Sequence, residues 1–130
     1  MANSESRKRL KARAKRVQRK HTATIRQYVF ARERNICRCC RFRRAESMHE
    51  LLPRGRGGHI SKRNSVALCG DGVRGCHGLL TRSEIVAEWD ILGAEEPLLF
   101  NICSRAAADW CRVSLDNQII SPPMIATEAD

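Results

Sequence analysis

The pattern of apolar and polar residues changes at about residue 25. Residues 4–34 contain no proline or glycine and are rich in helix-forming residues, which favours a helix. Up to residue 24, basic side chains fall on all sides of the helical wheel. A segment without an apolar stripe cannot pack on a core, so residues 1–24 are predicted to be a flexible or helical arm. Ile25, Tyr28 and Val29 then give an apolar face to a short helix.

The middle of the chain has the pattern of a hairpin followed by a helix. A short apolar run at 48–52 predicts a first strand, and residues 66–68 predict a returning strand. The glycine-rich stretch between them suits a turn. Residues 76–86 are predicted to form a helix that presents His77 near its start.

The last third has weaker signals. Residues 84–91 are amphipathic or strand-like, residues 93–97 suit a turn, and residues 98–102 predict a strand. Ser104 is a candidate N-cap for a short helix over residues 104–113.

The chain length and these elements predict one small α+β domain over residues 25–115. Its core is expected to hold three aromatic side chains, which are Trp89, Phe100 and an inward-facing Trp110. Residues 116–130 are predicted to be a frayed C-terminal tail.

Charge is distributed unevenly along the chain. The formal net charge is +10. Residues 1–44 hold sixteen Lys and Arg against two acidic residues, whereas residues 83–130 hold two Lys and Arg against nine acidic residues. The basic half is therefore the candidate nucleic-acid-binding half. The arm is expected to order on a polyanion with a steep salt dependence; the alternative is a solvated tail.

Four of the seven cysteines have the spacing of a zinc site. Cys37 and Cys40 form a CxxC pair, and Cys69 and Cys76 follow about 30 residues later, so that four sulfurs can surround one ion. The alternative is a set of reduced core cysteines. Cys39 lies within the first pair and could replace Cys40.

The other two cysteines, Cys103 and Cys111, are expected to be buried apolar residues rather than ligands. An odd number of cysteines in a zinc-like pattern suits a reducing cytoplasm better than a disulfide scaffold.

A second set of residues lies between the cysteine pairs. The run His-Glu-Leu-Leu-Pro-Arg-Gly-Arg-Gly-Gly at 49–58, an asparagine five residues before Cys69, and Cys-His-Gly at 76–78 follow one another in this order. Together they resemble the HNH endonuclease family, in particular its short phage and prophage members with flanking cysteine pairs. The resemblance covers residues 26–82 and implies a small zinc-stabilised ββα-metal fold with flanking helices.

The resemblance also implies roles for individual residues. His49 matches the first metal ligand of the family and His77 the last. Glu50 occupies the position of the general base, and Asn64 matches the asparagine that fixes the loop and the base. These four residues are the expected catalytic set.

Two positions differ from the commonest family pattern. Glu50 stands where most members have histidine, and a carboxylate is the weaker base unless burial raises its pKa. Thr81 stands where many members have a further histidine. The catalytic Mg²⁺, Mn²⁺ or Ni²⁺ would therefore be held by His49 and His77, with water and phosphate oxygens completing its shell. His59 could supply a missing ligand; the alternative is a solvated loop histidine.

The function that follows is hydrolysis of DNA phosphodiester bonds, by nicking or double-strand cleavage, in the cytoplasm of a prokaryotic host. Duplex phosphates are expected to meet a set of basic residues, which are Arg54, Arg56, Lys62 and Arg63. The resemblance implies a phage terminase or another packaging component as a candidate partner. No apolar run approaches membrane-spanning length, so no membrane partner is expected, and the protein is expected to be a monomer or weak dimer. The alternatives are a catalytically degenerate zinc-ribbon DNA-binding protein and a basic zinc protein that binds RNA.

Overall fold

A computed structural model describes residues 4–89 and 92–125 of the chain. It begins with one long α-helix, α1, over Ser4–Arg32. At about 1.5 Å per residue, α1 is roughly 43 Å long. Its buried side chains are those of Ile25, Val29 and Arg32, all near the C-terminal end. The basic N-terminal part therefore extends away from the core as an exposed helix.

A hairpin and a short helix follow. Strand β1 (Ser47–Glu50) pairs antiparallel with strand β2 (Ser65–Leu68), and His49 lies opposite Val66. Helix α2 covers Gly75–Thr81. The two strands lie where the apolar pattern predicted them.

The predicted extension of this helix to residue 86 is wrong. Ser83 adopts a left-handed conformation (φ 61°), and the N–H of Glu84 donates to the carbonyl of Leu79 at 2.9 Å. This Schellman arrangement ends the helix without the glycine that usually marks it.

The rest of the chain forms a second sheet. Strands β3 (Ile85–Glu88), β4 (Leu98–Ile102) and β5 (Gln118–Ser121) are antiparallel, with β4 in the centre. Helix α3 (Arg105–Cys111) lies between β4 and β5 in the chain. The predicted strand at 98–102 is confirmed, and so is the cap, because Ser104 Oγ accepts from the N–H of Ala107 at 3.0 Å.

Strand β5 corrects the expectation for the C-terminal segment. Residues 118–121 were predicted to be part of a frayed tail, yet they pair with β4. Ile119 packs against the core, and Gln118 donates a side-chain hydrogen bond to Asn101 at 2.9 Å. Residues 126–130 of the predicted tail and residues 90–91 of the predicted segment 84–91 lie outside the described part.

Strand β2 is buried on both faces and separates two cores. Ala67 faces a small core that includes Ile25 and Val29 of α1. Val66 and Leu68 face a larger core that extends to Phe100 of β4. Six cysteines also belong to this larger core, and both Trp89 and Trp110 pack against it half-buried. The expected core positions of the three aromatic residues are thus confirmed.

A buried ionic network joins these parts. The guanidinium of Arg38, which is 1% exposed, donates to Glu33 Oε2 at 2.9 Å and to the carbonyls of Ala94 (2.6 Å), Glu96 (2.7 Å) and Ser121 (3.0 Å). Burial lowers the pKa of Arg38, and the adjacent carboxylate opposes that shift. Arg38 is therefore structural, although the charge pattern grouped it with the nucleic-acid-binding residues.

The described residues form an α+β fold, as predicted, and contain three α-helices and two small sheets. In the same residues, no helix has the length and apolar character needed to cross a membrane.

Candidate metal-binding sites and cleft

Tight turns shape the two cysteine loops. In the first, the N–H of Cys37 donates to the carbonyl of Arg43 at 2.8 Å, and the N–H of Arg41 returns to the carbonyl of Cys37 at 3.0 Å. In the second, Asp71 Oδ1 accepts from the N–H groups of Val73 and Arg74, both at 2.8 Å. These bonds turn each loop back so that its cysteine side chains converge.

The four predicted cysteines do converge. The sulfur atoms of Cys37, Cys40, Cys69 and Cys76 lie within 4.8 Å of one another, and all four residues are buried. The N–H of Cys76 donates to Cys69 Sγ at 3.4 Å, which suits a sulfur that carries negative charge. Zinc–sulfur bonds of about 2.3 Å place tetrahedral sulfurs about 3.8 Å apart. The group could therefore hold a metal ion, and it is compatible with structural zinc.

The thiols of this group influence one another. A hydrogen bond with Cys37 lowers the pKa of Cys69 to about 7 and is also the main cause that lowers the pKa of Cys40. The hydrogen bond between Cys37 and Cys40 has the opposite effect on Cys37, whose pKa it raises. Thiols that share protons in this way cannot all ionise in a buried site without a cation to balance their charge.

A second group of sulfurs adjoins the first. Cys39, Cys76 and Cys111 also lie within 4.8 Å of one another and are buried. Cys111 was expected to be a buried apolar residue, and it is buried, but its sulfur lies 3.9 Å from that of Cys76. Cys103, in contrast, is exposed, so its expected burial is wrong. Spacing could not have revealed this group, because Cys111 lies on a separate helix far along the chain.

The two histidines of the motif also meet. His49 on β1 and His77 on α2 have ring centroids 5.0 Å apart, with the rings nearly perpendicular at 75°. Burial, followed by repulsion from His77, lowers the pKa of His49 to about 4. Burial also lowers the pKa of His77, and the nearby Asp71 opposes this shift. Both imidazoles are therefore neutral at pH 7, the state in which imidazole binds a metal ion.

Ser47 orients the ring of His77. Its hydroxyl donates to the carbonyl of Gly70 at 2.7 Å and lies 2.6 Å from His77 Nδ1. A hydroxyl has one proton, and here it is directed to Gly70. The network therefore assigns the proton of the neutral ring to Nδ1, which donates to Ser47, and leaves the Nε2 lone pair available to an ion.

Asn64 holds the loop that separates the two strands of the hairpin. Its side chain accepts from the N–H of Leu52 at 2.7 Å and donates to the carbonyls of Leu52 (2.9 Å) and His59 (3.0 Å). Gly58 allows the backbone of this loop to approach the backbone of Leu52 closely, because a Cβ at residue 58 would lie 1.8 Å from the carbonyl oxygen of Leu52. The loop-fixing contacts expected of Asn64 are therefore present.

A cleft of about 560 Å³ opens beside His49, and its lining also includes Glu50, Thr81 and Trp89. His77 contacts His49 but is not one of the residues that line this cleft. The hydroxyl of Thr81 donates to the carbonyl of His77 at 2.9 Å, one helical turn earlier. His59 is exposed and lines a separate, smaller depression, so it does not join the histidine pair.

The four basic residues expected to contact DNA have different surroundings. Arg54 and Arg56 are exposed on a 3-10 turn (Arg54–Arg56), and Arg56 lines the cleft. Lys62 Nζ lies 4.3 Å from the centre of the Tyr28 ring, and Arg63 donates to the carbonyl of Leu92 at 2.8 Å. The second pair of residues therefore already has contacts within the fold.

The two candidate sites differ in their donor sets. Within residues 4–89 and 92–125, the groups of three or more Cys, His, Asp or Glu close enough to share an ion are both made of cysteines. The histidine pair offers two imidazoles, of which that of His49 lines the cleft.

No protein-family model, no curated protein and no solved structure matches this chain.

Proposed function

We propose that the protein is a metal-dependent DNA endonuclease of the HNH class, with a ββα-metal unit formed by β1, β2 and α2 and a structural zinc ion on Cys37, Cys40, Cys69 and Cys76. The observation that carries the proposal is the meeting of His49 and His77, 28 positions apart in sequence, with ring centroids 5.0 Å apart and His49 on the wall of a cleft. The resemblance requires these two residues to be close enough to bind one ion, and they are close.

The chemistry assigned to the cleft is hydrolysis of a phosphodiester bond. Glu50, at the end of β1 and on the cleft wall, takes a proton from a water molecule aligned behind the phosphorus atom. A divalent ion on the two imidazoles would stabilise the negative charge that develops on the phosphate and on the leaving 3′ oxygen. Asn64 keeps the loop in place, and Arg54 or Arg56 holds a flanking phosphate. The products are 5′-phosphate and 3′-hydroxyl ends.

The exposed basic helix supports DNA as the substrate. Basic side chains cover the part of α1 that extends beyond the core, and all of them are exposed: Arg7, Lys8, Arg9, Lys11, Arg13, Lys15, Arg16, Arg19 and Lys20. Each phosphate that they neutralise should contribute about −0.9 to the slope of log affinity against log salt concentration. A duplex bound along this helix would be held through its backbone, which is a contact without sequence preference. A terminase or other packaging partner remains a prediction from the family resemblance.

A second candidate function is a zinc-stabilised DNA-binding protein without cleavage. The observation that favours it is the donor set of the cleft, in which two imidazoles come together without a third Cys, His, Asp or Glu close enough to share an ion among the described residues. An ion held by two imidazoles alone would depend on water and phosphate for the rest of its shell.

Plasmid nicking distinguishes the two functions. Purified full-length protein is incubated with supercoiled DNA and Mg²⁺, Mn²⁺, Ni²⁺, additional Zn²⁺ or EDTA. We expect metal-dependent nicked or linear DNA from the wild type and a loss of at least about 100-fold in His77→Ala and Glu50→Ala, as expected for loss of a ligand or a general base.

His59→Ala is the matched control, because His59 is exposed and lies away from the histidine pair. It should retain the wild-type rate. Intact DNA binding without cleavage by any ion would establish the second function, and a preference for structured RNA over duplex DNA in the same binding assay would contradict both.

A further inference from the structure

Six of the seven cysteines form one continuous sulfur cluster. Cys76 belongs both to the four-cysteine group and to the group it forms with Cys39 and Cys111. Three separate elements supply the sulfurs, since Cys39 comes from the first cysteine loop, Cys76 from α2 and Cys111 from the last turn of α3. We infer that the cluster holds two thiophilic ions, such as Zn²⁺, with Cys76 bridging the four-cysteine site and a three-sulfur site that it forms with Cys39 and Cys111.

The geometry of the second group suits an ion. The sulfurs of Cys76 and Cys111 lie 3.9 Å apart, close to the spacing of about 3.8 Å for two thiolates on one zinc ion. Cys39 and Cys111 also approach each other within 4.8 Å. A closed triangle of sulfurs is the arrangement that a shared ion requires.

The burial of the group leaves these residues no role at the surface. Cys39 and Cys76 are 0% exposed and Cys111 is 4% exposed, so none of them is placed to react with a partner or a substrate. Soft thiolate ligands select ions such as Zn²⁺ and Cu⁺ over Mg²⁺ or Ca²⁺.

The cationic side chain of Arg43 lies beside the group and donates to the carbonyl of Trp110, the residue before Cys111, at 2.7 Å. Its positive charge would offset part of the excess negative charge of six thiolates around two divalent ions.

A second ion would connect the two halves of the fold. The four-cysteine site lies on loops next to the β1–β2 hairpin, whereas Cys111 ends the helix between β4 and β5. A bridging thiolate would therefore tie the second sheet to the hairpin through metal–sulfur bonds. This role is independent of any chemistry in the histidine cleft.

The test is a count of zinc ions per chain. Full-length protein carrying His77→Ala, so that the histidine site adds no ion to the count, is purified reduced, equilibrated with Zn²⁺ and measured by native mass spectrometry and by elemental analysis. We expect two ions in this protein and after the further change Cys103→Ser, whose cysteine is exposed and outside the cluster. The double change Cys39→Ser/Cys111→Ser in the same background should leave one ion and retain the circular dichroism spectrum. One ion in His77→Ala, or two ions after the double change, would overturn the inference.

A second measurement keeps the inference testable should the double variant fail to fold. The wild type is loaded with ¹¹³Cd²⁺ as an NMR probe of thiolate sites. Two cadmium resonances coupled to each other through the shared thiolate are expected. A single resonance, or a mass that shows Cys39 and Cys111 joined as a disulfide in the reduced and metal-loaded protein, would contradict the bridged pair.

Discussion

The cysteine cluster and the histidine cleft are neighbours along the chain, since Cys76 and His77 are adjacent residues of α2, yet they differ in how far the fold completes them. The cluster gathers six buried sulfurs from three parts of the chain. The histidine pair brings two half-buried imidazoles together, with ring centroids 5.0 Å apart, and His49 lines an open space of about 560 Å³. Under the proposed function, the protein would supply all the ligands of the first site, whereas the second would leave positions for water or a substrate.

This difference corresponds to a general division of metal sites. Structural zinc sites are closed, whereas catalytic sites leave a coordination position open. Both sites depend on the same short helix, because α2 supplies Cys76 to one and His77 to the other. Substitutions in the closed site should therefore prevent folding. Substitutions in the open site should change ion binding and catalysis while leaving the fold intact. The predictions below test this division.

The largest effect should come from opening the closed site. Zinc binding to sites of this kind contributes about 10–16 kcal/mol at pH 7, and the binding free energy is also folding free energy. Cys69→Ser, or a strong chelator added to the wild type, should therefore abolish cooperative thermal unfolding measured by circular dichroism. Cys103→Ser is the matched control, since its sulfur is exposed, and should unfold like the wild type. An unchanged midpoint in Cys69→Ser would show that the cysteines are an ordinary core.

The second largest effect should come from the buried ionic network around Arg38, which lies in the first cysteine loop. Glu33 is 0% exposed and is the buried carboxylate between Arg32 and Arg38. Glu33→Gln would leave these guanidinium groups without a counter-charge, and removing one partner from a buried pair typically lowers stability by about 3–5 kcal/mol. Urea unfolding measures this loss.

Glu96→Gln is the control for the ionic network. Its side chain is exposed, and only its carbonyl contacts Arg38, so a change within about 0.5 kcal/mol is expected. Equal stability of the two variants would mean that the Arg38 network contributes no net free energy.

The residues that form these two sites were predictable from sequence to different extents. Cysteine pairs and the His49, Asn64 and His77 motif are local signals, and the structure brings the four cysteines together and the two histidines together. Cys111 gave no such signal, because it joins the cluster only through the packing of α3 against α2. The burial of Arg38 was also not predictable, because its position within a basic segment of the sequence indicates an exposed side chain.

The end of α2 was missed for a related physical reason. Each of the three α-helices in the described residues is followed by a non-glycine residue in the left-handed conformation, namely Arg34, Ser83 and Arg112. The usual sequence marker is glycine, which adopts positive φ without strain. At these positions the contacts of the folded chain hold residues that disfavour the conformation. Strand β5 was missed because it has only four residues and is followed directly by Pro122 and Pro123, so that it becomes a strand only when β4 is there to pair with it.

A third prediction uses the acid range to separate the cleft from the cluster. His49 has a pKa of about 4 in the fold, against an ordinary value of 6.5. In the unfolded chain, His49 takes up a proton below pH 6.5, whereas in the folded chain it does so only near pH 4. The stability associated with neutral His49 is therefore complete above pH 6.5 and is lost as the pH falls towards 4, by about 3 kcal/mol in total.

His49→Asn isolates this effect from acid loss of metal by the cysteines, because both proteins contain the same cysteine cluster. Urea unfolding of the two proteins is compared between pH 7 and pH 4 without added divalent ions. The wild type should lose more stability than the variant over this range. Parallel curves would show that the His49 ring is solvated in the folded protein and titrates normally.

The smallest effect should come from Ser47, which touches the open site only through His77. Ser47→Ala removes the acceptor for the Nδ1 proton, so that the ring no longer has a fixed tautomer with Nε2 free. Loss of such a supporting hydrogen bond typically weakens metal affinity by about 10–100-fold. Ni²⁺ titration of the zinc-loaded protein by calorimetry measures this affinity.

Ser47→Thr is the control, because it keeps the hydroxyl on a strand position that suits a β-branched residue. It should bind Ni²⁺ like the wild type. Because the hydroxyl is half-buried and outside the sulfur cluster, thermal stability and zinc content should change little in either variant. Equal Ni²⁺ affinity in Ser47→Ala and the wild type would mean that His77 does not bind the ion through Nε2. A loss of zinc in Ser47→Ala would instead show that the two sites are one coupled unit rather than a closed site beside an open one.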